Sequence, residues 1–306
     1  MTHVAIIVLN WNQAQLTIET INSILTINTD SFKFQIYLVD NGSDDNSLVL
    51  FSNTYKQNKS ISILETGRNL GYVGGNNFGI KKALKTSPDY VLVINNDVIV
   101  NKNFLKELLT VAATDKNIGL LGPKIYFAPG HEYQQHRYHK TEIGKVVWSV
   151  GGDMDWNNIL GSNRGIDQVD NHQFDNMDLD IDFISGCCFL VKTEIFKKIG
   201  FLDDKYFMYL EDADFCQRIK KAGYKIAYVP KSIIWHINAG SSSIGGPLHD
   251  YFLTRNRLLF GFRYASLRTK LALFRDSIQR LFVGSQWQKT GIIDFYFGKL
   301  GKGSWQ

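Results

Sequence analysis

Asn95–Asn96–Asp97 close an apolar run, Tyr90–Val91–Leu92–Val93–Ile94. Three polar side chains at the end of a buried strand need a reason. In open α/β sheets ligands gather beyond the carboxyl ends of the strands. One carboxylate flanked by amides suits a divalent cation that keeps coordination positions open for substrate phosphates. The same residue types cluster in ordinary strand-ending turns, so the triplet alone leaves both readings open. A second cluster, Glu211–Asp212–Ala213–Asp214, follows Gly200–Phe201–Leu202–Asp203–Asp204 and Tyr206–Phe207–Met208–Tyr209. The dipole and free amides of a helix N-terminus favour carboxylates, and capping of this kind accounts for Asp214. It does not account for the aromatic residues that crowd Glu211 and Asp212. Desolvation by aromatic walls raises a carboxyl pKa towards neutrality, as a general base requires. The third cluster is Ile234–Trp235–His236–Ile237, running into Asn238–Ala239–Gly240–Ser241. A histidine after an apolar run is commonly structural, but an imidazole between a strand and a Gly/Ser loop can also complete a metal shell.

These residues need a scaffold, and the apolar pattern supplies one. Val4–Leu9 is a continuous apolar run that stops at Asn10–Trp11–Asn12, and Leu16 to Leu25 then show helical spacing. Ile36–Val39 ends at Asp40–Asn41–Gly42–Ser43, and Ile61–Leu64 precedes a Gly-rich segment from Arg68 to Asn77. Near-continuous apolar strands separated by helices predict a mostly parallel α/β sheet, Rossmann-like, covered on both faces. Three of the four strands end in Asn or Asp, which places those ends on one rim. From Tyr126 to Asp180 the chain turns polar, and extended loops with short antiparallel strands are expected to lie across the ligand. His131, His136, His139 and His172 in this stretch read as solvated loop residues. A strand or strand pair is expected over Ile181–Val191, and a helix from Asp212 to Ala222 stopped by Gly223. A further strand, Tyr224–Val229, is expected to end at Pro230.

The chain has 306 residues, 44% of them hydrophobic and 13% aromatic, enough for one large core with an appendage. A net charge of +5 is too small to imply nucleic-acid binding by the whole chain. Cys187, Cys188 and Cys216 have neither zinc spacing nor a disulfide pattern, so burial as small hydrophobes is expected. Met1 leads directly into the first apolar run without a basic leader, and no run is long enough to span a membrane, which predicts a cytoplasmic chain. Domain limits of 1–245 and 246–306 follow, the first divided into halves at 125/126.

The segment from Asp250 to Gly284 reads as one or two helices in which Arg255, Arg257, Arg263, Arg268, Lys270, Arg275 and Arg280 face few acids. A basic amphipathic helix over 250–283 suits an anionic membrane surface. A helix packed on the main domain with solvated arginines fits the same pattern. The tail Lys299–Gln306 is expected to fray.

Taken in order, Val8–Leu9–Asn10–Trp11–Asn12, Val39–Asp40–Asn41–Gly42–Ser43, the run from Asn69 to Ile80, Asn95–Asn96–Asp97, Gly200–Asp203 through Glu211–Asp214, and Trp235–His236 resemble an inverting family-two glycosyltransferase of the GT-A type, close to the bacterial rhamnosyltransferase-like members. The match runs over roughly residues 3 to 260. The resemblance implies that Asp40 binds the nucleotide base, with Leu9, Asn10 and Asn12 lining the same pocket. It places Arg68, Asn69 and Asn77 near base and ribose, and Asn96 on the ribose. Asp97 then ligates Mg²⁺ or Mn²⁺ at the diphosphate, His236 is the second protein contact to metal or diphosphate, and Asp212, beside Glu211, is the catalytic base. In the family the acidic metal motif often holds two or three Asp; here only Asp97 is charged, which implies a metal held largely by the substrate. The implied partners are a dTDP- or UDP-sugar donor and a glycan or lipid-linked saccharide acceptor in cell-surface polysaccharide synthesis. Membrane association fits a lipid-diphosphate acceptor, with Arg255 and Arg257 approaching phosphates, and a homodimer stays open. Two rival readings fit the residues less well. A sugar-nucleotide nucleotidyltransferase usually carries a basic Gly-rich loop after its first strand, where this chain has Asn10–Trp11–Asn12. A non-catalytic nucleotide-sugar binder is disfavoured by the joint retention of Asp97, Asp212 and His236.

Overall fold

The computed structural model describes residues 1–237 and 245–305. The first strand, β1 (Thr2–Asn10), is followed by α1 (Ala14–Leu25), β2 (Phe32–Asp40), α2 (Ser47–Tyr55), β3 (Ile61–Glu65), α3 (Gly71–Ala83) and β4 (Tyr90–Ile94). Next come β5 (Val98–Val100), α4 (Phe104–Thr114) and β6 (Ile118–Phe127), then the short β7 (Val147–Ser149), β8 (Gly152–Asp155) and β9 (Leu160–Asn163). The chain closes with β10 (Cys188–Lys192), α5 (Thr193–Ile199), α6 (Glu211–Lys221), β11 (Lys225–His236), α7 (Pro247–Tyr264), α8 (Leu267–Val283) and α9 (Gln286–Tyr296).

The main sheet has the order β3-β2-β1-β4-β10-β6-β11-β5, with β7 added to β6. Its first four strands run parallel. β10 then enters antiparallel between β4 and β6, so the second half is mixed. β1, apolar along nearly its whole length, is buried on both faces as its composition demands. Ala5 and Ile7 face one hydrophobic cluster with Val73 and Ile80 of α3, while Val4, Ile6 and Val8 face another with Ile21, Ile24 and Leu108. α3 lies close on the sheet because Gly79 has no side chain: a Cβ there would stand 2.7 Å from Val39 and 2.8 Å from Ile7.

The polar stretch forms loops and short antiparallel strands. Its histidines 131, 136, 139 and 172 are exposed, and the three cysteines are buried and free. The strand expected to stop at Pro230 instead continues to His236. Pro230 falls in a register shift between Val229 and Ile233, a bulge where a proline forfeits no ladder hydrogen bond.

The C-terminal segment departs most from its expectation. It makes three helices, and Leu258, Phe260, Leu273 and Ile292 join the main core. Arg255, placed near phosphates by the sequence, is fully buried, and its guanidinium donates to the Tyr206 carbonyl at 3.0 Å. Arg257 is paired with Asp276 at 2.7 Å. As far as Trp305 the tail does not fray: Trp305 packs on Tyr251, Phe252 and Trp287, the Ser304 amide donates to Asp294 at 2.7 Å, and the Gly301 amide donates to the Lys205 carbonyl. No helix among the described residues is long and apolar enough to cross a membrane.

Asp214 joins α6 to α7. Fully buried, it accepts from the hydroxyls of Tyr206 (3.2 Å) and Tyr264 (2.7 Å) and from Arg218 (2.8 Å) and Arg263 (2.9 Å). It is a buried anion with four donors, beyond the capping role its position suggested. Asp214→Ala is expected to lower unfolding free energy by about 3 kcal/mol, discounted for the partial exposure of both arginines. Urea unfolding followed by circular dichroism measures the loss, and a change under about 0.5 kcal/mol would contradict the anchoring role.

Candidate active site

The carboxyl ends of β1, β2 and β4 share one rim because those strands are parallel and in register, with Asn10 opposite Asp40. A polar chain runs along it. Asp40, fully buried, accepts from the Asn10 amide (2.9 Å) and from the hydroxyl (2.6 Å) and backbone amide (2.9 Å) of Ser43. The Thr17 hydroxyl donates to Asn10 Oδ1 at 2.8 Å, and Asn96 donates to Thr17 at 2.9 Å. Asn12, in left-handed backbone (φ 55°), trades hydrogen bonds with Asp44 and donates its amide to Ser43. Asn10, Asn12, Asp40 and Asn96 are thus one connected group, and Leu9 lies half-buried beside it.

Asp97 follows Asn96 out of β4, and His236 ends β11 beside β5, paired with Val98. The two side chains converge: His236 Nε2 lies 3.2 Å from Asp97 Oδ1. Trp148 of β7 stands edge-on to the imidazole, with ring centroids 4.6 Å apart. His236 is buried, and neither ring nitrogen makes a hydrogen bond among the described residues. Buried polar nitrogens are seldom left so. Asn238–Ser241, the Gly/Ser loop expected to follow His236, lies outside the described residues.

The acidic pair opens α6. Asp212 accepts from the backbone amides of Gly186 (2.8 Å) and Ala213 (2.7 Å). Glu211 is buried, and its Oε2 has no hydrogen-bond partner among the described residues. Burial raises both carboxyl pKa values. Glu211 goes well above the ordinary range, with the charge of Asp212 adding to the effect, while backbone donors restrain Asp212. Both shifts favour the protonated form, most strongly at Glu211. Tyr72, whose hydroxyl donates to the Gly186 carbonyl at 2.5 Å, is itself pushed well up by burial and by the two acids. The acid pair and the Asp97 corner are close in the chain fabric: Gly186 holds Asp212, and the carbonyl of its neighbour Cys187 accepts from the Asn95 amide at 2.8 Å.

The approach to Glu211 is strained. Phe207, Tyr209 and Leu210 all have φ near +66°, a region costly for side chains of this bulk. The segment is fixed from α7: the Asn256 amide nitrogen lies 3.0, 2.7 and 3.0 Å from the carbonyls of Tyr206, Met208 and Tyr209. Phe207 covers Gly71, where a Cβ would stand 2.6 Å from its ring, and its carbonyl accepts from Val73.

Not every expected residue joins the rim group. Arg68, Asn69 and Asn77 line a hollow of about 650 Å³ with Asp204, Phe207 and Lys302. Asn69 is tied to Asn41 at 3.2 Å, and through it to the strand end after Asp40. Asn77 is buried, and its amide donates to Leu202 and Asp204, so in this structure it braces the 202–204 segment. A hollow of about 800 Å³ lined by Thr2 and Tyr90 lies at the opposite rim, by the amino ends of β1 and β4. Thr17, Trp148 and Asn256 were not singled out from sequence. The one available signal was Thr254–Arg255–Asn256–Arg257, a polar run between the apolar residues of α7.

The mixed sheet flanked by helices has the GT-A fold. A mannosyltransferase from Pyrobaculum calidifontis, solved with GDP-Man and Mn²⁺, matches with a TM-score of 0.56 at 13% identity, over 96% of this chain and 74% of that one. The chain belongs to glycosyl transferase family 2, whose family model matches residues 5–200. A second model, described as the N-terminal domain of galactosyltransferase, matches residues 171–239. Among its relatives are the N-acetylglucosaminyl-diphospho-decaprenol L-rhamnosyltransferase of Mycobacterium tuberculosis, 29% identical over 68% of this chain and 67% of that protein, and the low-salt glycan biosynthesis hexosyltransferase of Haloferax volcanii, 26% identical over 72% and 64%. The chain is a glycosyltransferase, and it aligns with about two thirds of the length of these relatives.

Two expectations follow. Asn256→Ala frees three carbonyls and is expected to cost about 1–3 kcal/mol of stability and to slow transfer at least about tenfold. Thermal melts and initial rates measure both, and an unchanged rate would separate the clamp from catalysis. The raised acid pair also has a pH signature. The folded state holds protons that the unfolded state releases, so the pair's contribution to stability is full below the ordinary carboxylate pKa. It is lost as pH rises through the raised values. Glu211→Gln, which stays neutral, should gain in melting temperature over the parent as pH goes from about 4 to about 8. A gap that does not widen with pH would contradict the protonated Glu211.

Proposed function

We propose that the chain transfers a sugar, L-rhamnose from dTDP-rhamnose or a hexose from a UDP-sugar, to a glycan or lipid-linked saccharide, with inversion and with the help of Mg²⁺ or Mn²⁺. The observation that carries this reading is the convergence of Asp97 and His236 on the rim that Gly186 and Cys187 connect to Asp212. The pair fits a divalent cation: an aspartate oxygen stands 3.2 Å from a buried imidazole nitrogen. Two protein ligands leave the remaining positions to substrate phosphates. A bound cation supplies Lewis-acid stabilisation of the departing nucleoside diphosphate.

The chain's own residues do the rest. Asp212 accepts the proton of the acceptor hydroxyl, which attacks the sugar carbon opposite the leaving diphosphate. One displacement with one base inverts that carbon and needs no covalent intermediate. Leu9, Asn10 and Asn12 line the nucleotide pocket, Asn96 faces the ribose, and Arg68 and Asn69 border base and ribose. Asp40 is proposed to act at the base mainly by fixing Asn10 and the turn at Ser43, since both its oxygens are engaged there. Asn77 serves the pocket by bracing the 202–204 segment. Residues 1–125 then supply the donor half and 126–245 the acceptor half.

The rhamnosyl reading is supported by the mycobacterial relative, whose name gives L-rhamnose as the sugar and a lipid diphosphate as the acceptor carrier. An acceptor of that kind supports a working position at the inner face of the cytoplasmic membrane, in cell-envelope polysaccharide synthesis. Asp212→Asn is expected to reduce transfer by about 10²–10⁴-fold while leaving nucleotide binding intact. Asp97→Ala should lose the Mn²⁺-dependent part of that binding. A thermal-shift screen of dTDP-, UDP- and GDP-sugars with and without Mn²⁺ reads the binding, because ligand stabilisation grows with the logarithm of concentration over Kd. Near-normal turnover by Asp212→Asn would overturn the base assignment, and Mn²⁺-independent shifts with every donor would overturn the metal.

A further inference from the structure

α8 is held to the protein by one face, with Thr269, Leu273 and Ser277 buried. A second face carries Leu267, Leu271, Phe274, Ile278 and Phe282, every one exposed, from 40% at Ile278 to 78% at Phe282. Their spacing of four, three, four and four residues makes one stripe along the helix, about 22 Å long. α9 extends it. The ring of Tyr296 stands edge-on to Phe274 with centroids 6.2 Å apart, and Phe297 just beyond is 78% exposed. An apolar surface this continuous marks a docking face.

The charges beside it decide what docks. At 100° per residue, Lys270 falls on one margin of the stripe and Arg268 and Arg275 on the other. The two carboxylates of these helices turn away: Asp276 to Arg257 and Arg280, and Asp294 to Tyr251 and Ser304. An apolar centre with basic margins and inward-facing acids complements a bilayer with anionic headgroups. A two-fold pairing of copies through the same face would set like charges against like, because each margin would meet a basic margin.

We infer that the α8–α9 face rests on an anionic lipid surface, the stripe reaching the boundary between headgroups and acyl chains. This rests on the two helices alone and is independent of which sugar is moved. The test is flotation of the full chain with vesicles of phosphatidylcholine, with and without phosphatidylglycerol. The parent is expected to float with the mixed vesicles and much less with pure phosphatidylcholine. The double variant Phe274→Glu, Phe282→Glu should lose about tenfold or more in partitioning. Its melting temperature and its nucleotide-sugar hydrolysis in solution should stay unchanged. Val49→Glu, at an exposed apolar residue on α2, should float like the parent. No flotation of the parent with anionic vesicles would overturn the inference, as would equal binding of the double variant. A dimer in light scattering that Phe274→Glu disperses, without vesicle binding, would assign the face to a second copy instead.

Discussion

One amide nitrogen fixes the backbone that leads into the buried acid pair. Asn256 spreads its hydrogen bonds over the carbonyls of Tyr206, Met208 and Tyr209, and Arg255 beside it takes the carbonyls of Lys205 and Tyr206. A backbone with three bulky residues in left-handed conformations does not hold itself there; the surroundings over-determine it. Once held, it delivers Glu211 and Asp212 at a fixed angle into the first turn of α6. The helix carrying the clamp follows the whole sheet in the chain, so the C-terminal helices help to position the acid pair.

That arrangement also sets two neighbouring acids apart in their surroundings. Both are withdrawn from water, but Asp212 receives more backbone donors, those of Gly186 and Ala213 among them, than Glu211, which has its own amide. Donors stabilise the charged form, so the two titrations separate. Adjacent residues in the chain are thereby shifted to different extents, Glu211 the further of the two. The Tyr72 hydroxyl, bonded to the carbonyl of the same Gly186, keeps that turn in place.

Much of this was legible in the residues. Strand ends rich in Asn and Asp, a Gly-rich segment and an acidic helix start are local patterns, and local patterns report the parallel half of the sheet and its rim. What escaped was set by distant contacts. Nothing near Arg255 announces that its partners are carbonyls some 50 positions earlier, so a basic helix read as a phosphate-facing one. Trp305 looked like part of a loose Gly/Lys tail, and only the cage of Tyr251, Phe252 and Trp287 gives it a place. Asp40 shows the same limit at the site itself. Its type and its strand-end position were evident, but its engagement by Asn10 and Ser43 was not.

The irregularity at Pro230 has a consequence for how such chains diverge. Val229 is paired with Pro123 and Ile233 with Lys124, so four positions on β11 answer to one step on β6. The ladders on either side fix the strand independently. Residues can therefore be gained or lost between them without rotating His236 away from Asp97. The bulge works as an expansion joint, uncoupling the spacing between the acid pair and the histidine from the geometry that brings them to one rim. Across it, counting residues is a poor guide to homology, and the ladder partner is the sounder one.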